Sequence, residues 1–258
     1  MNRQTALILA ILASTEMWSQ TDSITSPTHQ LQEVTVRQNR RQRALSAVAP
    51  VHILDRSDML TMGVADMGDA LQRIPGITLR DYGGAGGVKT VAVRGFGAKH
   101  TGVSYDGVML SDCQSGEIDL SRYALDNVAE LSLTVGDNDD IFLPARNVTT
   151  PAVLNIRTIG MPNGNKLPAQ VKWGSFGLLS PFLRYEQSLS DRFSLSAMAE
   201  YTYAENDYPY TIHNITITTH DRRTNSRMNS GHGEINFVWN TQPTSRLTGK
   251  VYYYDNSR

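Results

Sequence analysis

Cysteine is almost absent from this sequence, and its scarcity limits what the chain can be. Cys113 is the single cysteine in 258 residues. One thiol excludes an internal disulfide framework and any metal site built from several cysteines. The six histidines also lack the spacing of metal ligands. We therefore expect no resident metal ion and no cofactor.

A surplus of charge of one sign is missing too. The chain has 24 basic and 25 acidic side chains, which give a formal net charge of −1. Proteins that bind nucleic acid without sequence preference carry a marked basic surplus. The composition therefore excludes a general nucleic-acid binder.

Motifs that carry catalysis are lacking as well. The glycine-rich stretch at 83–87 is followed by a strand pattern and not by the Gly-Lys-Ser/Thr and helix of a phosphate-binding loop. Ser104 has no Gly-x-Ser-x-Gly surroundings. The sequence predicts a protein that is not an enzyme.

Long hydrophobic runs are absent except for a short one at the start. Residues 6–13 are apolar and follow Arg3. This run has about half of the roughly 20 residues that a membrane-spanning helix needs. It fits a secretory signal peptide over residues 1–19 better than a buried N-terminal helix. Since no other segment could span as a helix, any membrane residence must come from strands.

Residues 20–43 have the polar composition of a tether, with one alternating island at 31–36. That island, Leu31-Gln32-Glu33-Val34-Thr35-Val36, could add to the sheet edge of another protein. It could equally be the first strand of the domain that follows. The pattern alone leaves both interpretations open.

Residues 44–158 mix short strands with helix patterns, including a helix start at 56–58 and a helical turn at 119–123, which predicts a compact α+β domain. The helix is expected over residues 66–73, where Pro75-Gly76 ends it. Strands are expected at 48–54, 77–80, 88–94, 102–106, 128–135 and 153–158.

Residues 165–258 have a different character. Five segments of about 9–11 residues alternate polar and apolar side chains, as tilted transmembrane strands do. Their connections alternate between short and long, which is typical of an outer-membrane barrel. A secreted antiparallel sandwich remains the soluble alternative. Because single-chain barrels begin at eight strands, we expect the sequence to be a piece of a longer protein.

Arg94 stands at the end of an apolar strand pattern, directly before Gly95. If the α+β domain were enclosed by a barrel with a polar interior, Arg94 would pair with a carboxylate of that wall. An ordinary charged residue at a strand end is the other interpretation.

Three motifs in this order resemble those of one family. They are Leu71-Gln72-Arg73-Ile74-Pro75-Gly76-Ile77, Val91-Ala92-Val93-Arg94-Gly95 and Val103-Ser104-Tyr105-Asp106-Gly107-Val108. Together they are similar to the plug domain of TonB-dependent outer-membrane receptors, and Glu33-Val34-Thr35-Val36 looks like the TonB box. One departure is that the domain ends in Val153-Leu154-Asn155-Ile156 without the paired glycines that the family commonly has there.

The resemblance implies a plug (44–158) inside an antiparallel transmembrane barrel of 22 strands, of which about five are present. It also implies a receptor in the outer membrane, in contact with its lipid, that imports a scarce small-molecule nutrient. TonB, with its inner-membrane energising complex, would bind Glu33, Val34, Thr35 and Val36. Arg94 would form the ion pair between plug and barrel. Cargo-facing plug loops would carry Tyr82, Gly84, Gly86, Ser111, Asp112 and Gln114. The expected cargo is cobalamin, a siderophore or haem, with cobalamin-type receptors the most similar.

Overall fold

The computed structural model describes residues 51–84, 86–136, 145–160, 164–214, 217–242 and 245–258. The chain divides into two units, 1–39 and 40–258, and every described residue belongs to the second. The expected signal peptide, the tether and the island at 31–36 lie outside the described residues. Within the described ranges, no helix is long and apolar enough to cross a membrane.

The first part of the described chain folds around a mixed five-stranded sheet with the order β1-β6-β7-β4-β5. Neighbouring strands are antiparallel except β4 and β7, which run parallel. The remaining two strands, β2 and β3, pair as a separate hairpin. The bounds are β1 Val51–Asp55, β2 Ile77–Asp81, β3 Lys89–Val93, β4 Thr101–Tyr105, β5 Val108–Met109, β6 Val128–Val135 and β7 Ala152–Thr158. This part is called the first domain below, and its α+β character confirms the predicted class.

Helices α1 (Arg56–Met62), α2 (Met67–Gln72) and α3 (Ala145–Val148) complete the first domain. Aspartates begin the first two, because their carboxylates satisfy backbone N–H groups that have no partner inside the helix. The Asp55 carboxylate accepts from the Asp58 N–H at 2.9 Å, and that of Asp66 accepts from the Asp69 N–H at 2.8 Å. The helix expected at 66–73 is therefore present with nearly the expected bounds.

The apolar core of the first domain lies between α2 and the sheet. Leu71 on α2 is completely buried, as is Val93 on β3. Leu131, Leu133 and Leu154 are also completely buried, on the central strands β6 and β7. Burying an aliphatic side chain of this size contributes about 1.5–3 kcal/mol, so this cluster holds the two β-layers and the helix together.

Two dipeptides of the first domain reverse the chain in the same way. Arg94-Gly95 and Asp106-Gly107 have positive φ at both residues, 47° and 82° in the first and 48° and 85° in the second. Two-residue hairpin turns favour this conformation because it matches the twist of the flanking strands. The strand predicted to include Arg94 thus ends at Val93, and Arg94 lies in the turn.

A second sheet follows, with the strand order β14-β13-β10-β9-β8 and antiparallel pairing throughout. Its bounds are β8 Ala169–Trp173, β9 Leu179–Ser190, β10 Phe193–Ala204, β13 Met228–Gln242 and β14 Ser245–Ser257. These are the five strands that the sequence predicted. The long connection between β10 and β13 contains a hairpin that was not predicted, formed by β11 (Pro209–Asn214) and β12 (Ile217–Arg222).

The second sheet has an apolar outer face and a polar face covered by the first domain. In β9, Leu179, Leu183 and Tyr185 are exposed, whereas Arg184 and Glu186, which alternate with them, are buried. The other large exposed apolar residues of the sheet include Val171, Trp173, Tyr201, Ile235, Trp239, Leu247, Val251 and Tyr253. A sheet in water would have the opposite arrangement.

Candidate functional site: the loops of the first domain and its contact with the second sheet

A cavity of about 150 Å³ opens at the start of β4. Lys99, His100 and Thr101 line one side, and Ser111 and Asp112 line another. The Thr101 hydroxyl oxygen is buried and has no hydrogen-bond partner among the described residues. A small polar group bound in this cavity would lie beside Lys99, His100, Ser111 and Asp112.

The loop that carries Ser111, Asp112 and Gln114 is held by its own aspartate. Asp112 Oδ1 accepts from the backbone N–H groups of Gln114 at 2.8 Å and Ser115 at 2.6 Å. Backbone hydrogen bonds from Ser115 and Gln114 hold the pKa of this exposed carboxyl below its usual value. Ser111 and Gln114 remain exposed, so their side chains are available to a ligand.

The glycine loop, residues 82–88, is also closed by an aspartate. Asp81 Oδ1 accepts from the N–H groups of Gly83 at 3.0 Å and Gly84 at 2.7 Å. The Tyr82 N–H donates to the Val88 carbonyl at 3.0 Å, which pins the two ends of the loop together. The Tyr82 side chain is 57 % exposed. The predicted cargo-facing residues Tyr82 and Gly84 are thus presented on a hydrogen-bonded turn.

The bases of the two loops are joined. The Lys89 N–H, directly after the glycine loop, donates to Asp119 Oδ1 at 3.1 Å. The Lys89 ammonium pairs with Asp66 at 2.5 Å. Burial tends to raise the pKa of Asp66, but the charge and hydrogen bond of Lys89, with backbone hydrogen bonds from Asp69 and Gly68, give a net downward shift. Lys89 therefore ties both loops to α2.

The contact between the first domain and the second sheet centres on Glu234, which is 1 % exposed. Tyr105 Oη donates to Glu234 Oε2 at 2.6 Å, and Asn127 Nδ2 donates to Oε1 at 3.0 Å. Lys250 Nζ approaches the same Oε1 at 3.0 Å. Burial, followed by the Glu234 charge, raises the pKa of Tyr105, so this phenol stays a donor at neutral pH. We call Tyr105, Asp106, Asn127, Arg184, Glu234 and Lys250 the seam.

Arg184 is the second buried charge of the seam and is 1 % exposed. Its Nε pairs with Glu186 Oε1 at 2.8 Å. One terminal nitrogen donates to Asn127 Oδ1 at 3.0 Å, and the other donates to the Ile159 carbonyl at 2.9 Å. A guanidinium group has five N–H donors in a fixed plane, so it can satisfy these partners at once. Arg184 thus joins the second sheet to both β6 and the end of β7.

Asp106 forms the outer end of the seam. It accepts from the Thr158 N–H at 2.7 Å and the Thr158 hydroxyl at 2.6 Å, and it pairs with Lys250. Burial tends to raise the pKa of Asp106. The hydrogen bonds from Lys250 and Thr158 act in the opposite direction, and the net pKa lies below its usual value. The ionised carboxylate is therefore the form that holds β4, β7 and β14 together.

Aromatic rings extend the seam along β14. The Tyr105 and Tyr123 rings lie 4.8 Å apart between centroids, and those of Tyr123 and Tyr252 lie 5.6 Å apart. The Tyr252 hydroxyl donates to the Arg122 carbonyl. Pairs of this kind add about 0.5–1.5 kcal/mol beyond their area burial.

The predicted site residues fall into four groups. Ser111 and Asp112 line the cavity, with Gln114 exposed on the same loop, while Tyr82, Gly84 and Gly86 lie in the glycine loop. Glu33, Val34, Thr35 and Val36 lie outside the described residues. Arg94 is exposed in its turn and makes no ion pair with the described residues, so its pairing stays a prediction.

Sequence reasoning missed the seam and the Lys99–Thr101 side of the cavity. The alternation in β9, β13 and β14 could have shown that Arg184, Glu234 and Lys250 share the polar face. Their partners could not be read from it, because Tyr105 and Glu234 are 129 positions apart.

The Asp106→Asn variant tests the acid dependence of the seam. Asparagine tolerates the left-handed conformation of Asp106, so mainly the charge changes. We expect a loss of about 1.5–3 kcal/mol at pH 7, the range for a hydrogen bond to a charged group. Because the folded-state pKa is lowered, wild type has this stabilisation above the unfolded value of about 3.9 and loses it as pH falls through the folded pKa.

The measurement is urea unfolding of the full-length protein and of the variant between pH 7 and pH 3. The two free energies of unfolding should converge towards pH 3. A difference that stays constant with pH would contradict the assigned role of the ionised Asp106.

Residues 43–141 match the family model of the TonB-dependent Receptor Plug Domain. The first domain is therefore a TonB-dependent receptor plug, and the recognition made from the three motifs is confirmed. The antiparallel sheet that follows has the fold of the barrel strands of these receptors. The second sheet is called the barrel wall from here on.

Solved structures with this fold include several receptors for iron chelates. The pyoverdine outer membrane receptor FpvA from Pseudomonas aeruginosa PAO1 bound to pyoverdine is 16 % identical, with a TM-score of 0.62 over 81 % of this chain and 28 % of its own. The ferric citrate transporter FecA is 15 % identical, with a TM-score of 0.64 over 84 % of this chain and 32 % of its own. The ferric yersiniabactin uptake receptor FyuA from Yersinia pestis is 13 % identical, with a TM-score of 0.60 over 81 % of this chain and 32 % of its own. The chain thus spans between a quarter and a third of the length of these structures.

Proposed function

We propose that this chain belongs to a TonB-dependent receptor of the outer membrane that imports a scarce nutrient through the barrel lumen. The observation that carries the proposal is the inverted burial of the barrel wall. Its apolar residues point outward, and its charged residues point at the plug. Outer-membrane barrels have this arrangement, because lipid contacts the outside and a polar interior faces the lumen. Export by the predicted signal peptide would deliver the protein.

The cavity and the glycine loop are proposed as the part of the cargo site that the plug supplies. Tyr82, Ser111, Asp112 and Gln114 would contact the cargo, together with Lys99 and His100. Donors of this kind suit a metal chelate with carboxylate, phosphate or other oxygen groups. Cobalamin, siderophores and haem all remain within this class. The solved structures with the same fold include a pyoverdine receptor, a ferric yersiniabactin uptake receptor and a ferric citrate transporter.

TonB is proposed to bind Glu33, Val34, Thr35 and Val36 as an added strand, which the alternating pattern of this segment favours. Traction on the segment would then have to loosen the plug from the barrel wall before cargo passes. The seam is the described contact that resists this step. No bond in the cargo is broken, so the proposed activity is transport and not catalysis.

Deletion of residues 33–36 tests the proposal in cells that carry the full-length protein. Uptake should fall to background, while binding of cargo to the cell surface should remain within about twofold, since the plug loops are untouched. Deletion of residues 25–28, an equally short piece of the tether, is the matched control and should leave uptake intact. Undiminished uptake after the 33–36 deletion would contradict TonB gating.

The same cells can show which class of cargo the protein imports. Cyanocobalamin, ferric citrate, ferric pyoverdine and haemin are supplied one at a time as the limiting nutrient, and growth and surface binding are measured. With one of these nutrients, growth of the cells should require residues 33–36, whereas binding of the nutrient to the cell surface should not. If no probe binds, the assignment of the plug loops to these cargoes is overturned. The Leu183→Arg variant tests separately whether the barrel wall lies in a membrane.

A further inference from the structure

Gly86 of the glycine loop lies against the barrel wall with no room for a side chain. A Cβ atom at Gly86 would lie 2.2 Å from Met228 Sδ and 3.2 Å from Met228 Cβ. A Cβ atom at residue 86 would force the Met228 side chain to shift, so glycine lets the loop lie against Met228 in its present position. Met228 itself is 3 % exposed.

A movement of the loop at this contact would also move Tyr82, because hydrogen bonds hold the described part of the loop together as one turn. Asp81 holds the N–H groups of Gly83 and Gly84, and the Gly87 N–H donates to the Gly84 carbonyl at 3.0 Å. A shift of Gly86 would therefore move the whole described turn.

Met228 also occupies a special place in the barrel wall. It is the first residue of β13, where the connection 205–227 with the β11–β12 hairpin rejoins the sheet. Its partner across the sheet is Ala204, the last residue of β10, which is 1 % exposed. Both ends of the connection thus meet where the plug loop is seated.

We propose that Gly86 and Met228 form a steric latch, which fixes the glycine loop on the wall and couples its position to the connection 205–227. The coupling to cargo rests on the proposed function, since that function makes the loop cargo-facing. The latch itself rests only on the packing. A cargo that displaces the loop would shift Met228, and with it the root of the β11–β12 hairpin.

Gly84 provides a matched control within the same loop. Its φ is 68°, close to the 74° of Gly86, but a Cβ atom at Gly84 would have nothing within 4 Å. Alanine at either position suffers the same left-handed backbone strain. The Gly86→Ala variant alone also meets Met228.

Hydrogen–deuterium exchange of the purified full-length receptor without cargo is the test. Gly86→Ala should speed exchange of the peptide covering 81–89 by about tenfold more than Gly84→Ala does, because loops with weakened packing open more often. Met228→Ala alone should also speed it. In the Met228→Ala background, Gly86→Ala should add no more than Gly84→Ala adds in the wild type. Equal effects of the two glycine variants, or no dependence on Met228, would overturn the latch.

A second readout separates the latch from the cargo site. Whichever nutrient probe supports growth is added to the wild-type receptor, and exchange of the peptide covering 205–228 is compared with and without it. Coupling predicts a change in wild type that Met228→Ala reduces by at least about threefold. A change that persists undiminished in Met228→Ala would contradict the coupling. If no probe binds, the cargo assignment fails, while the cargo-free experiment still decides the latch.

Discussion

Replacing Arg184 with alanine should destabilise the folded protein by about 3–5 kcal/mol, the cost of breaking a buried ion pair from one side. The variant would leave the buried carboxylate of Glu186 without its ion-pair partner at 2.8 Å. Asn127 Oδ1 and the Ile159 carbonyl would lose their donors at the same time. Water cannot readily replace these partners, because the guanidinium lies between the plug and the barrel wall.

Urea unfolding of the full-length protein in lipid vesicles, with a probe on the plug, measures this loss. The control is Arg157→Ala, which removes an exposed pair with Glu130 at 3.9 Å. An exposed pair of this kind contributes no more than about 1 kcal/mol. Arg184→Lys should give an intermediate loss, since one ammonium cannot reach all the partners of a guanidinium. A loss for Arg184→Ala as small as that for Arg157→Ala would show that the seam does not hold the plug.

The strand pattern was readable from the sequence because it is local. In β9 a period of two places Leu183 and Tyr185 on one face and Arg184 and Glu186 on the other, whatever lies beyond. The same pattern left open whether the apolar face meets lipid or a second sheet. The burial of the charged face against the plug favours lipid on the apolar face, and a single strand does not contain that information.

The functional contacts were less predictable because they join distant segments. The resemblance gives Arg94 the role of pairing with the wall, and that pairing stays a prediction. The fold brings Asp106, in a turn of the same type, next to Lys250. The motif around Asp106-Gly107 drew attention only by resemblance, and no local rule distinguishes the two turns. The β11–β12 hairpin was not predicted, because the segment that contains it was interpreted only as a long connection.

Leu183→Arg should reduce the stability of the protein by about 2–4 kcal/mol, the cost of arginine on the lipid face near the middle of an outer-membrane barrel. Leu183 is 47 % exposed in the structure and lies near the middle of β9. In a secreted protein an exposed leucine meets water, and its replacement by arginine would change stability by only about 0.5 kcal/mol. The two environments therefore predict different results for one substitution.

The most direct measurement compares Leu183→Arg with Ile217→Arg in the full-length protein. Ile217 is 66 % exposed on the β11–β12 hairpin, outside the barrel wall. The amount of folded protein in the outer-membrane fraction and its free energy of unfolding in lipid vesicles are determined for both. A membrane wall predicts a large loss for Leu183→Arg and almost none for Ile217→Arg. Equal, small effects, with folded protein recovered outside the membrane fraction, would contradict it.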